Sequence, residues 1–227
     1  MGVGQFCTNP GIVFYQEGVP GNNFCNSFVE KMKKFEPATM LHRGIRNSYG
    51  QGIEKISNGE GVKVLLGSNE NKGEGECDAM PCVLETSVNH FLNDSNLSLE
   101  IFGPATLLVS YRDRDDLLRV AGKLEGQLTA SLFGHTENLD EHEGLIDILE
   151  TKAGRLLFNQ FPTGVEVCES IVHGGPYPAT TDSRSTSVGT GAILRFARPV
   201  CFQGFPGEFL PPELRNENPN NINRKEN

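Results

Sequence analysis

Apolar residues recur every three or four positions at Phe24, Phe28, Met32 and Phe35, a spacing that predicts an amphipathic helix. The turn Gly18-Val19-Pro20-Gly21 precedes it, Asn22 or Asn23 is placed to cap it, and Pro37 stops it. Lys31, Lys33 and Lys34 then lie at the negative end of the helix dipole. A second helical spacing, Met40, Ile45, Ile53 and Ile56, covers about Thr39 to Ile56, weakened by Gly44, Gly50 and Gly52. Short apolar runs predict strands over Val62 to Leu66, Pro81 to Thr86 and Ala105 to Tyr111. From there the period alternates: a helix from Arg114 to Leu124, a strand from Gln127 to Phe133, a helix from Leu139 to Leu149, and a strand from Arg155 to Asn159. Thr186 to Phe196 is read as a further helix.

Strands that alternate with helices from Ala105 to Asn159 predict an α/β fold, with a mainly parallel sheet covered by helices on both faces. A Gly- and Glu-rich loop is expected from Gly67 to Glu76. After Asn159, Pro162, Gly164, Gly174, Gly175, Pro176 and Pro178 predict a long ordered loop, interrupted by a short strand at Val165 to Val167. Beyond Phe205 apolar residues thin out. One domain is therefore expected over 1–205, followed by a tail over 206–227 that is disordered from about 213.

The formal charge of -9 leaves no basic face for nucleic acid or an anionic membrane surface. The first residues show no charged-then-apolar leader, and no apolar run reaches the roughly eighteen residues a membrane helix needs, so the expected location is the cytoplasm. The six cysteines have no small-scaffold spacing and are expected to be free thiols. Cys77, Cys82 and His90 resemble a fragment of a metal site, but no second ligand pair accompanies them, and no metal is expected. No Gly-x-Gly-x-x-Gly follows a strand, and no phosphate-binding Lys-Ser/Thr loop is present.

The strongest chemical feature is Gly4-Gln5-Phe6-Cys7-Thr8-Asn9-Pro10-Gly11, a cysteine between two turn-forming segments that hold it out of any regular ladder. This octapeptide resembles the nucleophile motif of the aldehyde dehydrogenase superfamily. About ninety residues later, Leu99-Glu100-Ile101-Phe102-Gly103-Pro104 is similar to a second motif of that family. His173-Gly174-Gly175-Pro176-Tyr177-Pro178-Ala179-Thr180-Thr181-Asp182-Ser183-Arg184 and Arg198-Pro199-Val200-Cys201-Phe202-Gln203 resemble one subgroup. That subgroup contains the 2,5-dioxovalerate (α-ketoglutaric semialdehyde) dehydrogenases and the NADP-linked fatty aldehyde dehydrogenases. The resemblance runs over residues 1 to 205.

The resemblance implies that Cys7 is the catalytic nucleophile, adding to an aldehyde to give a thiohemiacetal and then a thioester that is hydrolysed to a carboxylic acid. It implies that Glu100 binds the nicotinamide ribose and that Phe102 packs near the ring of NAD or NADP, with NADP favoured. The loop at His173, Gly174, Gly175 and Pro176 would shape the substrate entrance, with a carboxylate-bearing semialdehyde expected first and long-chain aldehydes second. In the family, the nucleotide-binding domain, the general-base glutamate and an oxyanion-hole amide precede the nucleophile. The chain is accordingly expected to be the C-terminal catalytic portion of a longer enzyme and inactive alone. The alternative is a non-catalytic interaction module, associating with its own copies or with a full-length relative.

Overall fold

A computed structural model describes residues 2–67, 75–162, 164 and 167–223 of the chain. Strand β1 (Ile12–Gln16) leads into α1 (Val19–Met32), the two-residue β2 (Ala38–Thr39) and α2 (Arg43–Ser57). Then come β3 (Lys63–Leu66), the short β4 (Asp78–Ala79), β5 (Cys82–Ser87) and α3 (Val88–Asn93). The last regular stretch is β6 (Ala105–Tyr111), α4 (Arg114–Lys123), β7 (Gln127–Leu132), α5 (Glu143–Glu150) and β8 (Ala153–Phe158).

Four strands form the main sheet in the order β1-β6-β5-β3, with β6 parallel to both neighbours and β3 antiparallel at the edge. Successive residues of β6 point to opposite faces, and both faces are buried. Leu107 and Val109 pack with Leu84, Tyr49, Ile53, Ile56 and Phe91 beneath α2 and α3. Leu108 and Val83 pack on the other face with Cys25, Phe28, Val29 and Met32 of α1. This double burial is why Ala105 to Val109 reads as an apolar run broken only by Thr106. A parallel pair, β7 with β8, forms a separate two-stranded sheet that packs on Ala121 of α4 and Leu145 and Leu149 of α5, and Leu117 of α4 packs against both this cluster and the main core.

The strand–helix alternation therefore predicts the class correctly and one detail wrongly. Its strands divide between two sheets, because β6 is already flanked by β1 and β5 and has no free edge for β7. The β1 strand, absent from the sequence reading, is half-buried and exists by pairing with β6, Val13 opposite Leu108. The first helix starts earlier than Asn22, with Pro20 in its first turn and Gly18 at the N-cap. The second starts at Arg43: Thr39 pairs with Asp78 in the β2–β4 ladder, and His42 Nδ1 accepts from the N–H groups of Gly44 and Ile45 at 3.1 and 3.3 Å. The helix expected from Leu139 begins at Glu143 after two 3-10 turns, and Thr190–Phe196 is a 3-10 segment rather than an α-helix. Of the strand expected at Val165 to Val167, Val165 and Glu166 lie outside the described residues, as does most of the Gly67 to Glu76 loop. Among the described residues no helix is long and apolar enough to cross a membrane.

Among the described residues, Asp116 is the one acidic side chain that is buried. Arg112 donates to its Oδ2 from both Nε and the backbone, at 3.1 and 3.2 Å, and Arg119 Nη2 donates to Oδ1 at 2.5 Å. Hydrogen bonds from Arg112, reinforced by Arg119, hold its carboxyl down at about 2. The folded value lies below the unfolded value of about 3.9, so the stabilisation is full above that pH and is lost as pH falls toward about 2. Asp116→Asn should therefore flatten the fall in urea midpoint between about pH 4 and pH 2. An unchanged acid slope would show that the two arginines do not hold this carboxylate.

Candidate functional site

The residues between Gly4 and Gly11 form neither helix nor strand; three docking contacts fix them. Gln5 Oε1 accepts from the Leu41 N–H at 3.0 Å. The Thr8 hydroxyl, 5 % exposed, donates to the Pro162 carbonyl at 2.6 Å. Asn9 Nδ2 donates to the Gly103 carbonyl at 3.2 Å. Gly4 lies so close to that same carbonyl that a Cβ would collide with backbone, and its φ of +68° also favours glycine. The turn is thus held on both sides of Cys7, while the thiol itself stays exposed.

The Leu99 to Pro104 segment alternates. Ile101 turns inward against Gly52 of α2 and joins the main core, while Glu100 is exposed and Phe102 is 38 % exposed. Beneath them Tyr49 donates to the Met80 carbonyl at 2.7 Å, fixing the ring against which Gly103 packs. Because Gly4 and Asn9 both engage Gly103, the Phe102 loop and the Cys7 turn form one surface. Glu100 makes no ion pair among the described residues.

The His173 loop reaches this surface from the smaller sheet. Gly174 and Gly175 are buried, and Gly175, with φ +154°, lies over the Gln127 carbonyl at the start of β7, where a side chain has no room. Pro176 is half-buried against Gly126, and its carbonyl accepts from the Ala179 N–H at 2.9 Å. The His173 N–H donates to Thr186 Oγ1 at 2.9 Å, and its carbonyl accepts from the N–H and hydroxyl of Ser187. So held, the imidazole Nε2 stands 3.5 Å from Cys7 Sγ. The family resemblance implies that this loop shapes a substrate entrance; no local pattern in the sequence signals a direct contact between two side chains 166 positions apart.

Two of the other thiols, Cys25 and Cys82, are buried where Cys7 is exposed. Cys82 is 3 % exposed, and burial pushes its thiol up to about 12, far from ionisation at neutral pH. Burial, then the nearby Glu85 carboxylate, pushes the Cys25 thiol up as well. Cys201 shares with Cys7 an exposed position.

The model of the aldehyde dehydrogenase family matches residues 1–179. The chain belongs to the aldehyde dehydrogenase family. Its similarity to an α-ketoglutaric semialdehyde dehydrogenase 2 of Azospirillum brasilense is 44% identity over 96% of the chain and 41% of that protein. An α-ketoglutaric semialdehyde dehydrogenase of Acinetobacter baylyi is 40% identical over 99% of the chain and 42% of its own length. This aldehyde dehydrogenase family chain thus spans about two-fifths of the length of the curated relatives it matches. Among solved structures, a Δ-pyrroline-5-carboxylate dehydrogenase from Mycobacterium tuberculosis superposes with a TM-score of 0.70 at 17% identity, covering 92% of the chain and 40% of that structure. Aldehyde dehydrogenase 21 from Physcomitrella patens, in complex with the reaction product succinate, gives 0.61 at 20% identity over 76% of the chain and 35% of that structure. At these identities the structural likeness establishes the α/β fold of the family alone.

Proposed function

We propose that the chain is the catalytic portion of an NAD(P)-dependent aldehyde dehydrogenase that oxidises a carboxylate-bearing semialdehyde, with 2,5-dioxovalerate the leading substrate. The names of the two relatives support the substrate class. The observation that carries the chemistry is an exposed thiol on a turn locked at both ends, sharing a surface with Glu100 and Phe102. Cys7 Sγ adds to the aldehyde carbon, forming a C–S bond and an alkoxide, and the rigid turn keeps the sulfur presented for that approach.

The residues present suit the nicotinamide end of a dinucleotide. Glu100 offers an exposed carboxylate that can accept from ribose hydroxyls, and Phe102 an apolar ring beside the Cys7 turn. Hydride acceptance is the chemistry that a bound nicotinamide supplies. Cys7 afterwards holds the acyl group as a thioester, and water releases it as the carboxylic acid with the thiol restored. NADP is the cofactor favoured by the subgroup resemblance.

Protection of Cys7 tests the reading. Preincubation with α-ketoglutaric semialdehyde should slow alkylation of Cys7 by iodoacetamide, read by peptide mass spectrometry, and leave exposed Cys201 alkylating as before. Equal alkylation of Cys7 with and without the aldehyde would sink the assignment.

A further inference from the structure

We propose that His173 is a hydrogen-bond donor to the Cys7 thiolate and is not the base that removes its proton. This rests on the reading of Cys7 as nucleophile and adds to it how the thiolate is held. Nε2 of His173 is 3.5 Å from Cys7 Sγ, while Nδ1 of the same ring is buried and has no hydrogen-bond partner among the described residues.

The two ring nitrogens decide between the roles. To act as base, Nε2 must present a lone pair to the thiol, so Nδ1 must carry the ring proton. That leaves a buried N–H without an acceptor, and once Nε2 is protonated the site holds a cation with one of its two donors unsatisfied. Cys–His and Ser–His pairs that transfer a proton avoid this by giving the far nitrogen a carboxylate or amide partner. Here the loop is oriented by other means: the His173 N–H on Thr186, and Ser187 on the His173 carbonyl. Those bonds position the ring without favouring a proton on Nδ1.

The opposite tautomer leaves only a buried lone pair unpaired and aims Nε2–H at the sulfur. A charge-assisted N–H···S bond then stabilises the thiolate. The thiol proton leaves to water, which reaches the exposed Cys7, and the imidazole keeps its own proton throughout, so no N–H bond is made or broken. When Sγ bonds to the aldehyde carbon, the negative charge passes from sulfur to oxygen and this hydrogen bond weakens.

The experiment is the rate of Cys7 carbamidomethylation by iodoacetamide at neutral pH, with Cys201 in the same sample as reference. His173→Leu should slow Cys7 about tenfold, the effect of losing a hydrogen bond to a charged group. His173→Gln, whose amide also donates, should stay within about threefold of the unchanged protein. His173→Ala supplies the non-donor arm should the leucine variant fail to melt cooperatively. A glutamine variant as slow as leucine or alanine overturns the donor role in favour of proton transfer. Equal rates in all variants overturn any action of His173 on the thiol. The nucleophile reading fails separately, through absence of aldehyde protection in the unchanged protein.

Discussion

Cys7→Ser should lower aldehyde-dependent formation of NADH or NADPH on the order of a thousandfold or more, in any preparation of this protein that shows such turnover. A serine hydroxyl at neutral pH is a far weaker nucleophile than a thiol. The side chain that meets the sulfur at 3.5 Å is His173, which on the reading above donates and does not accept. The substitution should leave the melting temperature unchanged, since Cys7 is exposed and its turn is held by Gln5, Thr8 and Asn9. Cofactor reduction is followed by absorbance. Turnover that persists in the serine variant would move the chemistry elsewhere.

Leu108→Ala should be among the most damaging substitutions in the chain, costing about 2–5 kcal/mol. Leu108 is fully buried and sits in the central strand, opposite Val13 on one side and Glu85 on the other. Its side chain packs with Val83 and Cys25 under α1, and neighbours on flanking strands cannot collapse into the space it leaves. The loss should appear as a lower urea midpoint at unchanged slope. Val200→Ala, at a position 57 % exposed, serves as the comparison and should change little. A cost for Leu108→Ala below about 1 kcal/mol would mean the sheet is not packed on both faces as described.

What the sequence revealed depended on how local each signal is. The β6 strand was legible because burial on both faces writes five consecutive buried positions from Ala105 to Val109. Ile12 to Tyr15 carried only four half-buried residues, and β1 gains its stability from a partner some ninety-five positions away. In helix α1, Pro20 in the first turn marks the start better than Asn22 does. For the candidate site, Cys7, Glu100 and Phe102 lie in recognisable motifs, whereas the inward turn of Ile101 between exposed Glu100 and Phe102 is seen only in the structure. Thr8 on Pro162 and Cys7 on His173 span 154 and 166 positions, and no local periodicity encodes contacts of that separation.

The sulfur and the imidazole belong to different loops. The Cys7 turn is tied to Gly103, just before the central strand, and through Thr8 to Pro162, just after β8, whereas His173 follows Gly174 and Gly175 onto the ends of β7 and β8. A local opening of the His173 loop, well short of unfolding, would part the pair while leaving both strand ladders intact. The labelling rate of one cysteine therefore doubles as a gauge of how firmly the His173 loop stays docked, readable under conditions where circular dichroism would register nothing.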